Sequence, residues 1–124
     1  MPMKIPCEVV AKDILPMIRR ELSILLVKKH GMPQTAVAHR LDITDAAVSQ
    51  YLRAKRGSSV DCTKYPQYAS FKEELNDSAS RIAAGDDVFT ELCHLCGFVK
   101  ASGLLAEVYR EQTGCLPKCT EPDD

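Results

Sequence analysis

The sequence predicts an all-α protein, and three observations predict it. Apolar residues recur every three or four positions through most of the chain, the spacing that lays one apolar stripe along a helix. Glycine and proline fall mainly between these stretches, at Gly31-Met-Pro33, Gly57, Gly85 and Gly114. No stretch alternates long enough to argue for a sheet. With 124 residues and 45 % hydrophobic content, one modest core or two small ones are within reach. The linker-like Gly57-Ser-Ser-Val-Asp divides the chain into residues 1–58 and residues 59–124.

The elements follow in order. Glu8 to Leu15 is amphipathic, and Pro16 must lie at or near a helix start, since an interior proline costs ~3 kcal/mol. Asp13 is a fitting N-cap for a helix running through Ile18, Leu22, Leu25 and Leu26 to Lys28-Lys29, where the two lysines complement the dipole. Gly31 supplies a left-handed stop, and Pro33 suits the first position of the next helix. After the linker, Pro66 to Ala84 reads as a helix with Tyr68, Phe71, Leu75 and Ile82 near one face, stopped by Gly85. Asp86 or Asp87 caps another through Val88, Phe89 and Leu92 into Cys93. Gly97 interrupts it, and helix resumes from Phe98 to Gln112. The tail Thr120-Glu-Pro-Asp-Asp is polar.

The net charge of −1 conceals an asymmetry. Residues 1–60 carry ten Lys/Arg against five Asp/Glu, and residues 61–124 carry six against twelve. A basic end joined to an acidic one suits a chain with one polyanion-binding end. No apolar run approaches the ~18–20 residues a membrane span needs, and the first residues lack an export signal's apolar core. A cytoplasmic protein with no membrane partner is expected.

Within the basic half, Gln34-Thr-Ala-Val-Ala-His-Arg-Leu-Asp-Ile-Thr-Asp-Ala-Ala-Val-Ser-Gln-Tyr-Leu52 carries the strongest signal. Two short helices crossing steeply need a small residue where they approach, and Ala38 supplies it. Val37, Leu41, Ile43, Val48 and Leu52 are the apolar contacts, and Thr44 is placed to cap the second helix. That helix would present Thr44, Asp45, Ala46, Ser49 and Gln50 to a major groove ~12 Å wide. Gln50 has the donor and acceptor to pair with adenine. Arg53, Lys55 and Arg56 would touch phosphates, giving affinity without sequence information. His30 and His39 are expected to face solvent.

Gln-x-x-Val-Ala and Ala-Val-Ser-x-Tyr-Leu resemble the helix-turn-helix of Cro and lambda-repressor-like regulators, over roughly residues 15–57. The resemblance implies an N-terminal DNA-binding domain. It gives Gln34, with Thr35 beside it, the backbone-contacting role and makes Ala46, Ser49 and Gln50 base readers. It departs from the family at the turn, where Asp42 stands in place of the usual glycine. Asp tolerates the left-handed conformation better than most residues.

Six cysteines are many for this length. In a reducing compartment, ligation rather than disulfide formation is the expected use for them. Cys93-x2-Cys96, eighteen residues, then Cys115-x3-Cys119 form two close pairs of soft thiolate donors. They suit an iron–sulfur cluster, with a four-iron cubane favoured, or zinc as the alternative. Leu92, Leu95, Phe98 and Leu116 would shield it. Cys7 and Cys62 read as buried free thiols. The order of parts, helix-turn-helix and then a four-cysteine set, also resembles archaeal regulators that sense iron–sulfur status, which implies a homodimer whose cluster alters DNA binding.

The combined expectation is a homodimeric transcriptional regulator, such as a repressor, reading double-stranded DNA. A small helical cysteine-containing C-terminal domain would carry the cofactor and the dimer contact. Three readings stay open beside it: a purely structural zinc, a thiol-redox or electron-transfer protein using Cys93-x-x-Cys96, and a protein-binding helical adaptor. No Ser/His/Asp arrangement, phosphate loop or paired-carboxylate site argues for an enzyme.

Overall fold

A computed structural model describes residues 9–54 and 62–113, and every regular element among them is helical. A π-helical turn, Val10–Ile14, runs directly into α1 (Leu15–Lys28). α2 (Gln34–Leu41) and α3 (Asp45–Ala54) follow. After a 3-10 turn, Cys62–Lys64, come α4 (Tyr68–Ala83), α5 (Val88–Ala101) and α6 (Leu104–Thr113).

α1 organises the molecule. Ile14, Ile18, Leu22 and Leu26, one turn apart, are fully buried together with Met17. On one side α1 packs against α2 and α3, and on another against α4 and α5. The buried residues of both halves form one continuous cluster, from Val37, Leu41 and Val48 to Phe71, Leu75, Leu95 and Val99. Phe71 and Phe98 stack with ring centroids 6.0 Å apart between α4 and α5. The boundary read at 58/59 falls between the two described segments, and the core is common to both.

The start of α1 differs from the sequence reading. Asp13 does not cap a helix; it is buried within the π-helical turn. Leu15 donates to the Val10 carbonyl, a bond one residue longer than in an α-helix. The wider turn lets the chain stay helical up to Pro16, which occupies one of the first two positions of α1, where its missing N–H is no loss. Gly31 is left-handed as expected, with φ 68°. Pro33 is the N-cap of α2, not its first helical residue.

Gly97 does not interrupt α5. The helix runs through it, because Leu92, Leu95 and Val99 are buried on both sides of it, and their packing outweighs the ~1 kcal/mol that glycine costs in a helix. The break comes at Ser102-Gly103, where Gly103 takes φ 87° and α6 leaves at 70° to α5. α4 ends at Gly85, φ 109°, which closes the last turn by donating to the Ile82 carbonyl while Asp86 donates to Arg81. No single described helix is long and apolar enough to cross a membrane.

Candidate nucleic-acid interface and cysteine pair

The α2–turn–α3 unit is built by its buried side. Val37, Ala38, Leu41 and Val48 are buried, with Ile43 and Leu52 packed against them. Ala38 is buried among them, as a small residue in a close-packed pair of short helices must be. Asp42 adopts φ 56° and ψ 47°, the left-handed conformation that reverses the chain. Its N–H donates to His39 O at 3.3 Å, and the Ile43 N–H donates to Ala38 O at 3.0 Å. The Asp42 N–H also donates to the Ala38 carbonyl, so the last carbonyls of α2 are tied down by the turn. Thr44 then caps α3, its Oγ1 accepting from the Ala47 N–H at 3.0 Å.

This framework turns Gln34, Thr35, Thr44, Asp45, Ala46, Gln50 and Arg53 outward, with Ser49 half-buried beside them. Ala46, Gln50 and Arg53 lie four and three residues apart and so form one ridge along α3. Lys55, Arg56, Cys115 and Cys119 lie outside the described residues, as does Cys7.

Cys93 and Cys96 are one helical turn apart on α5, Cys93 exposed and Cys96 half-buried against the core. Burial pushes the Cys96 thiol up, and the Cys93 thiol adds to that push, while the cationic Arg19 on α1 draws it down. The Arg19 Nε is itself buried and makes no hydrogen bond among the described residues. Two soft donors thus stand one turn apart at mid-helix rather than at a helix N-terminus. The shielding expected of Leu92, Leu95 and Phe98 is not separate from the fold. The two leucines fill the core and Phe98 stacks on Phe71.

Several contacts between the halves had no signal in the sequence. Arg40, at the end of α2, donates to the Asp86 carbonyl at 2.8 Å, and Lys29 to Asn76 Oδ1 at 3.1 Å. His39 is exposed as expected, whereas the Nε2 of His30 is buried with no hydrogen-bond partner among the described residues. At the base of α5, Glu91 is buried and paired with Arg81 at 2.9 Å, and the Arg81 hydrogen bond holds its carboxyl below the ordinary range. No protein-family model, curated protein or solved structure matches the chain.

Proposed function

We propose that the chain binds double-stranded DNA as a homodimeric transcriptional regulator, entering the major groove with α3. One observation carries this reading. A left-handed turn at Asp42 and a side-chain cap at Thr44 hold α3 so that its open ridge is Ala46, Gln50 and Arg53. A ridge that is small at its start, amide-bearing at its centre and cationic at its end suits base edges followed by a phosphate. A face that only had to be wetted would ordinarily carry more charge. Gln34 and Thr35, exposed at the start of α2, are placed for the backbone, and Ser49 for a base edge.

The cysteines give the reading its regulatory half. Cys93 and Cys96 would supply two of four thiolates to an iron–sulfur cluster, or to zinc, and Cys115 and Cys119 the other two. When bound, such a group would fix chain segments to α5, and Arg19 would set a positive charge beside the sulfur. α5 packs on α1, and α1 on both α2 and α3, so the site and the proposed reading helix share one packed element.

The test selects a binding site from random duplexes and then measures binding by anisotropy at several salt concentrations. Gln50→Ala should relax selectivity at one base pair by about 5- to 150-fold. Arg53→Ala should weaken all duplexes alike and flatten the salt dependence. A chain that selects no sequence, or a Gln50→Ala variant with unchanged preference, overturns the assignment. Anaerobic absorption with iron, sulfide and zinc analysis tests the cysteine half, and Cys93→Ala should abolish whatever is bound.

A further inference from the structure

The α2–turn–α3 unit carries little of the charge that phosphate contact alone would call for. From Gln34 to Ala54 it holds two arginines, Arg40 and Arg53, against two aspartates, Asp42 and Asp45, so the formal charges cancel. Arg40 donates to the Asp86 carbonyl at 2.8 Å, and Asp42 forms the turn. Asp45 has no such task. It is exposed in the first turn of α3, next to Ala46 and one helical turn before Ser49. Its carboxylate makes no hydrogen bond or ion pair among the described residues. The helix start does not depend on it, since Thr44 already accepts from the Ala47 N–H. An acid in a first turn favours the helix dipole, but on a helix that enters a groove the same charge is repelled by the phosphates of every duplex. A residue that weakens binding to all DNA contributes to recognition only by telling one duplex from another.

We propose that Asp45 reads a cytosine, and that this cytosine lies within two base pairs of the adenine read by Gln50. The inference rests on the DNA-binding reading above and names the class of sequence that α3 recognises. An ionised carboxylate only accepts hydrogen bonds. In the major groove guanine shows two acceptors, N7 and O6, and thymine shows the O4 acceptor beside a methyl group, so both edges repel it. Adenine offers its N6 amino group with the N7 acceptor next to it, which sets a lone pair against the second carboxylate oxygen. Cytosine offers its N4 amino group with no acceptor beside it on that edge. Cytosine is therefore the base whose edge a carboxylate meets without repulsion. Gln50, which carries a donor and an acceptor, matches adenine N6 and N7 instead. Asp45 and Gln50 are five residues apart, about 7.5 Å along the axis, or roughly two base-pair steps of 3.4 Å for a helix lying along the groove. Selectivity then has two sources, a bond made to cytosine and a charge that penalises the other bases.

The test selects sites from random duplexes with the full chain and with Asp45→Asn, and locates the Gln50 position as the base pair relaxed by Gln50→Ala. The parent should enrich a cytosine within two base pairs of that position. Asp45→Asn should relax the cytosine preference by about 5- to 150-fold and leave the preference at the Gln50 position as it was. It should also bind unrelated duplexes several-fold more tightly, with helical circular dichroism and melting temperature close to the parent's. Asp42→Asn removes the same charge from the turn and should leave the cytosine preference intact. A selected site with no cytosine in that window overturns the assignment of Asp45 and leaves that of Gln50 in place. So does an Asp45→Asn variant that binds all duplexes more tightly but keeps the preference, because Asp45 would then repel DNA without reading it. A parent chain that selects no sequence overturns the DNA-binding reading and this inference together, so the two failures are told apart by whether any site is selected.

Discussion

α3 and α5 are made by the same rule and finished differently. Each buries an apolar side against the core, and each starts at a side-chain cap. Thr44 accepts from the Ala47 N–H, and Asp87 from the Thr90 N–H. Their outer faces have opposite character: Ala46, Gln50 and Arg53 on α3, Phe89, Cys93 and Gly97 on α5. Folding constrains the inner faces and leaves the outer ones open, so the outer faces are where a partner's chemistry is written. An amide between a methyl and a guanidinium suits a polar, anionic surface, and an exposed thiol suits a soft metal centre.

The comparison breaks first if the two helices do not share one core. Leu22 on α1 is fully buried in the cluster that joins both halves. Leu22→Ala should destabilise by about 2–5 kcal/mol. Hydrogen exchange should show the most protected amides of α3 and α5 losing the same amount of protection. If α3 opened while α5 kept its protection, the two regions would be separate cooperative units.

Much of α3's surroundings was legible in the sequence because the controlling interactions are local. Asp42 in a left-handed turn and Thr44 as a cap are each fixed by residues within a few positions. Gly31 and Gly85 as helix ends are legible for the same reason. The misreadings arise where packing overrides local preference. Gly97 looks like a stop, yet buried Leu95 and Val99 hold the helix through it. Asp13 looks like a cap, yet Val9 and Ile14 are buried around it and the chain is already helical. The Arg40–Asp86 bond spans 46 positions and has no periodic signature. The exposure of Phe89 was equally hidden, since its place in an apolar run reads as core.

One source of acid sensitivity in the fold lies on α5's side of the comparison. The Arg81 hydrogen bond holds the Glu91 carboxyl below its ordinary value of 4.5, against the opposing effect of burial. A carboxyl lowered on folding contributes stability above its unfolded pKa, and that contribution is lost as pH falls through the folded value. The melting temperature should therefore drop as pH falls below about 4.5, and Glu91→Gln should flatten that dependence. The neutral-pH cost of Glu91→Gln should be about 1–2 kcal/mol, held down because the Arg81 side chain is 41 % exposed. An unchanged acid profile in Glu91→Gln would move the acid sensitivity elsewhere.

The two caps sharpen the comparison at lower cost. Thr44→Ala and Asp87→Ala should each lose about 1 kcal/mol in denaturant titrations. Only Thr44→Ala should also weaken DNA binding, because it loosens the first turn of the helix proposed to enter the groove. Equal loss of DNA affinity in both variants would mean that affinity follows overall stability and not the seating of α3.

The smallest effect is expected at Asp42, where two opposing terms nearly cancel. A side chain at φ 56° is strained by roughly 1 kcal/mol, and Asp42→Gly removes that strain. Glycine also gives the unfolded chain more freedom, which takes back roughly half of the gain or more. The hydrogen bonds that close the turn come from the backbone N–H groups of residues 42 and 43 and survive the change. The net result should be a stabilisation of a few tenths of a kcal/mol, read as a small rise in melting temperature, with DNA selectivity unchanged. Asp42→Ala separates the terms, because alanine keeps the strain and loses the local hydrogen bonding that eases aspartate into this conformation. It should destabilise by about 1 kcal/mol. If Asp42→Gly were instead clearly destabilising, the Asp42 side chain would be making a contact that the turn geometry alone does not require.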